Sequence, residues 1–165
     1  MITRIAKMLL LAGIAVFYSL VVFNNLTDFD SNYQFVRHVL TMDTTFPGNH
    51  GMWRALPSPA WHLAFYVGTI AWEMATAVLL WWGCARLLRG LRLTAAEFNK
   101  AKLVPVAALT LSLTMWLVAF LAVGGEWFLM WQSHDWNGEG AAFRNFAVEG
   151  LVLLILLQPE TKLQP

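Results

Sequence analysis

Four stretches of this chain are long and apolar enough to cross a lipid bilayer. The hydrocarbon core is about 30 Å thick, so a spanning helix needs about 17–25 largely apolar residues. Residues 7–23, 60–84, 103–131 and 140–157 meet that condition. No water is available at that depth, so each stretch must satisfy its own backbone as a helix. The expected fold is an all-α membrane protein, a single four-transmembrane-helix bundle. Composition agrees, at 58% hydrophobic and 13% charged, against roughly 45–50% and 25% for soluble domains. A net charge of +1 argues against a nucleic-acid partner. Cys84 is the single cysteine, so no internal disulfide can form.

The first span follows Arg4 and Lys7, as a signal peptide would. Its end, LVVFNNLTDF, lacks the small-x-small cleavage pattern, so it is expected to stay in place as a helix. The remaining cations are unevenly divided. Arg86, Arg89, Arg92, Lys100 and Lys102 crowd the linker between spans two and three, and Lys162 lies in the tail. Residues 24–59 hold only Arg37 and Arg54, and residues 132–139 hold no Lys or Arg. The positive-inside rule then puts both termini of a multi-pass protein in the cytoplasm.

Residues 24–59 are too many for a bare connection and read as an outer cap. Tyr33, Val36 and Leu40 recur at helical spacing, which predicts a short amphipathic helix in this first outer loop. Phe46-Pro47-Gly48-Asn49 marks a turn. The loop also holds His38, Asp43, His50 and Arg54, of which His38, Asp43 and Arg54 are candidate site residues. Their spacing matches no zinc signature, and no Glu-x-x-His pair suggests a di-metal centre. No metal or cofactor is therefore called for.

The stretches NLTDFDSNYQFVRHVLTMDTTFPGN, MWRAL, AWE and GEWFLMWQSHDWNG resemble an uncharacterised bacterial family of predicted small integral membrane proteins. The resemblance covers nearly the whole chain. It implies a small multi-span protein of the bacterial inner (cytoplasmic) membrane and supplies no activity, cofactor or catalytic residue.

The spans carry ionisable residues that hydrocarbon tolerates poorly. In the second, His62, Tyr66, Thr69, Glu73 and Thr76 step by four and three residues, forming one polar stripe that must face other helices or water. Ser112, Ala119 and Glu126 lie seven apart on the third span, and Asn145 and Glu149 one turn apart on the fourth. Arg144 is the one fixed cation of the set, and a pairing of Arg144 with Glu126 is expected. Glu73, Glu126, Arg144, Glu149, His62 and Asn145 together form the expected polar cluster. Counted at 1.5 Å per residue, Glu126, Glu149 and Glu73 sit roughly 8, 14 and 20 Å from the outer helix ends.

Two functions fit. One is a non-enzymatic protein that binds a lipid, a small ligand or a partner, as a homo-oligomer or with a partner membrane subunit. The other is a small oligomeric proton- or cation-conducting channel or transporter using the glutamate ladder. Reporter fusions at both ends test the orientation common to both. Cytoplasmic signals are expected from each, and an outward signal from either contradicts the four-span reading.

Overall fold

The computed structural model describes residues 1–160, so Lys162 lies outside the described residues. Helix α1 spans Ile2–Thr27, α2 Phe29–Thr41, α3 Pro59–Gly90, α4 Ala95–Ala101, α5 Leu103–Thr114 and α6 Glu139–Leu157. Helix α5 runs directly into a π-wound segment, Met115–Trp127. Short 3-10 turns occupy Met52–Arg54 and Met130–Gln132. Among the described residues all regular structure is helical. Four helical stretches are apolar enough to span a membrane: α1, α3, the rod containing α5 with its π continuation, and α6. At 1.5 Å per residue, the 32 residues of α3 extend about 48 Å, beyond the roughly 30 Å hydrocarbon core.

The helices exceed most of the sequence-based limits, and the third span ends sooner than 131. Leu129 adopts a left-handed backbone (φ 55°) and stops that helix. The linker also contains α4, which the sequence reading left unassigned. Its signal is TAAE. Thr94 accepts from the Glu97 backbone, and the Glu97 carboxylate accepts from Thr94 N, a reciprocal capping box.

Helix α1 packs along α3, α3 along α5, and α6 against α5, the π segment and α1. Buried positions follow helical spacing: Leu11, Ile14 and Tyr18 on α1, and Tyr66, Ile70, Ala77, Leu80, Cys84 and Leu87 on α3. Gly83 lets α3 approach α5 closely, because a Cβ there would stand 2.9 Å from Pro105 Cγ. The outward faces are also apolar, with Leu20, Val67, Val78, Leu151 and Leu154 exposed. Such a surface suits hydrocarbon as its solvent.

Cations tie the helices at the end away from α2. Lys7 and Lys102, both buried, donate to the Gln158 carbonyl just past α6, each at 2.7 Å. Cations at a helix C-terminus satisfy carbonyls left without helical partners. Glu160 receives Lys7 at 2.7 Å and Arg4 at 3.3 Å, with Lys102 3.8 Å away. Arg4 also donates to the Leu91 and Leu93 carbonyls and lies over the Phe98 ring.

Burial alone would push the Glu160 carboxyl up, but the bonds and charges of Lys7, Arg4 and Lys102 outweigh it and hold the carboxyl below its ordinary value. A depressed carboxylate stabilises the fold above its unfolded pKa, about 4.3, and loses that contribution as pH falls through the folded value. Thermal unfolding in detergent should therefore show a midpoint that drops as pH is lowered below about 4.3. Glu160→Gln should lower the midpoint at pH 7 and flatten this drop. An acid response identical to wild type would contradict the ion-pair assignment.

Candidate functional site

The polar residues of the spans separate into two interior ties. In the first, Asn25 near the end of α1 donates through Nδ2 to Glu73 Oε2 on α3, at 2.6 Å. Asn32 of α2 donates in turn to Asn25 Oδ1, at 2.6 Å. The Tyr66 hydroxyl lies 3.4 Å from both the Asn25 carbonyl and Oδ1. Its ring packs edge-on against Phe29. This tie fixes α1, α2 and α3 to one another, with Glu73 and Asn25 buried.

The second tie joins α1, α5, the π segment and α6. Ser112 donates its hydroxyl to Glu149 Oε2, and Trp116 Nε1 donates to Glu149 Oε1 at 3.1 Å. Trp116 Nε1 also lies 2.9 Å from the Tyr18 hydroxyl. Because Ser112 gives its hydrogen to Glu149, Tyr18 acts as donor to Ser112 Oγ, at 2.5 Å. Glu149, Ser112 and Tyr18 are essentially inaccessible. The sequence reading missed Tyr18, Trp116 and Asn32 as partners. Tyr18 and Asn25, seven residues apart on α1, carried the usable signal.

Arg144 and Glu126 do not pair. Both are exposed, and among the described residues neither side chain makes a salt bridge or hydrogen bond. The reason lies in the π segment. Its hydrogen bonds run five residues back, as from Phe128 N to Val123 O, so each turn holds about one residue more than an α-helix. Seven-residue spacing then no longer returns to one face, and Glu126 rotates away from the Ser112 side. What binds at that helix end is Arg54. Its Nη1 donates to the carbonyls of Glu126 (3.3 Å) and Trp127 (3.0 Å), and its guanidinium lies over the rings of both Trp53 and Trp127.

The other candidates are dispersed. His62 is buried and donates from Nε2 to the Leu56 carbonyl at 2.6 Å, anchoring the loop, while its Nδ1 has no partner. Asn145 is half-buried and makes no side-chain hydrogen bond among the described residues. Thr69 bonds only the Phe65 carbonyl within its own helix. His38, in the last turn of α2, meets both Asp43 oxygens at 2.9 Å and stacks on Trp136. Ile70 is buried beside the stripe.

A cleft of about 500 Å³ opens beside these ties. Helix α3 packs on α5 but diverges from the π segment, and α2 roofs the gap. Phe35, Val39, Phe65, Gly68, Phe120 and Val123 line it. Thr69 and Trp72 are among its few polar side chains, and both are satisfied elsewhere. The Thr69 hydroxyl donates to the Phe65 carbonyl and the Trp72 indole N–H to the Leu111 carbonyl. The cleft therefore offers a guest mainly apolar contact.

Residues 3–159 match the family described as "Predicted small integral membrane protein (DUF2165)". The chain belongs to this family, whose function is unknown. It is an integral membrane protein with several apolar helices. No curated protein and no solved structure matches it.

The Asn25–Glu73 tie predicts an asymmetric mutational response. Asn25→Ala leaves the Glu73 carboxyl without its donor, at a cost of about 1–3 kcal/mol. Glu73→Leu with Asn25→Leu removes both polar groups and should recover part of that loss. Thermal unfolding of both variants checks this. An unchanged Asn25→Ala protein would rule the bond out as a stabilising contact.

Proposed function

We propose that this is a non-enzymatic membrane protein that holds the hydrocarbon chain of a lipid in the cleft between α3 and the π segment. In this reading both termini are cytoplasmic and the cleft lies in the outer leaflet of a bacterial inner membrane. The cleft itself is the observation that carries the proposal. Its volume, about 500 Å³, falls within the roughly 300–1,000 Å³ of ligand sites. Along α3 it runs from Trp61 to Trp72, about 16 Å at 1.5 Å per residue. One leaflet of hydrocarbon is about 15 Å deep. A single acyl or isoprenoid chain matches both dimensions, and the lining offers little to a polar ligand.

The interior carboxylates support a structural rather than a conducting role. Glu73 and Glu149 belong to separate ties made with different partners. On α1, the buried apolar residues Leu11 and Ile14 fill the interval between Tyr18 and Lys7. Proton flux in reconstituted vesicles separates the rival reading. Wild-type flux that vanishes in Glu73→Gln would favour a conductor.

Gly68→Trp tests the cleft directly. A Cβ at Gly68 meets nothing within 4 Å, so the new side chain can enter the cleft without disturbing the helix. Gly13→Trp, at an equally open site on the outward face of α1, is the control. Spin-labelled phospholipid should show fewer immobilised chains for Gly68→Trp than for wild type or Gly13→Trp. Equal immobilised fractions in all three would overturn the proposal.

A further inference from the structure

Arg144 and Glu126 have opposite charges and no side-chain partner among the described residues. Arg144 shares the α6 face turned from the bundle with Gly140, Val148, Leu151 and Ile155, opposite the buried Ala142, Glu149 and Leu156. Glu126 shares an exposed face of the π segment with Leu117 and Ala122. Within a span a charge facing lipid is costly, and such residues normally face protein.

We propose that copies of this chain associate head-to-tail in the membrane, the α6 face of one against the π-segment face of the next, with Arg144 paired to Glu126 across the contact. An isologous contact of α6 on α6 would set two Arg144 side chains together and repel. Pairing Arg144 with Glu126 instead sets the α6 face of one copy against the π-segment face of another. Such contacts close into a ring when the rotation permits. Depth is compatible. The Glu139 carboxylate abuts Gly125, which places Arg144, five residues along α6, about 7.5 Å deeper than that level. An arginine stem commonly extends along apolar surface toward the interface, here towards Glu126. Gly140, where a Cβ meets nothing within 4 Å, and Ala122 leave room for helices to approach.

Native mass spectrometry of the protein released from lipid nanodiscs tests this. Wild type should give an oligomer. Arg144→Glu and Glu126→Arg should each give monomer, because each places like charges across the contact. An equimolar mixture of those two variants should restore the oligomer, since alternating copies again pair opposite charges at each contact. Both sites are exposed, so the fold should persist, as far-ultraviolet circular dichroism can verify. If a reversal does not fold, a mixture of Arg144→Cys and Glu126→Cys chains, both with Cys84→Ala, decides the matter. Oxidation should then give disulfide-linked dimers only in the mixture. Three results would overturn the proposal: a monomeric wild type, single reversals that keep the wild-type subunit number, or no mixed disulfide. Loss of a bound phospholipid in Arg144→Glu with no change in subunit number would assign Arg144 to a lipid phosphate instead.

Discussion

Hydrocarbon offers no hydrogen-bond partner, so a polar group buried inside the spans depends on partners within the protein. That constraint organises this bundle. Asn25 meets Glu73, and Ser112 and Trp116 meet Glu149. Interhelical hydrogen bonds in membranes average only about 0.6 kcal/mol. Their larger consequence here is register. A helix that slides or rotates leaves a carboxyl unpaired in hydrocarbon, so these ties fix the depth and rotation of α1, α3, α5 and α6 against one another. The Lys7, Lys102, Arg4 and Glu160 cluster adds a clamp at the other end.

The π segment is the second determinant. Its wider turn carries Glu126 outward. It also diverges from α3, and the cleft roofed by α2 occupies that divergence. π-wound turns are rare and often accompany functional sites. Here the same departure from α geometry that defeats a sequence-based pairing also borders the cavity on which the functional proposal rests.

How much of this was legible depends on how local the signal was. The polar stripe His62, Tyr66, Glu73 and Thr76 follows from α spacing, and those four residues are buried on α3. The partners of that stripe were less visible. Asn25 and Tyr18 are polar residues on an apolar helix, and nothing in the sequence says which carboxyl each meets. Arg54 looked like a loop residue, yet it bonds the last carbonyls of the π segment. Local spacing cannot show that, because the contact spans more than seventy residues of chain.

The sequence by itself determined the class of solvent. Apolar runs of spanning length leave the backbone only the helix. Tertiary structure decided which polar groups meet, because pairing depends on helix rotation and depth, which α periodicity gives only while the helix remains α. Beyond Met115 it does not. There the fold placed Glu126 outside, left Arg144 without a partner in its own chain among the described residues, and opened a cleft whose walls come from helices far apart in sequence.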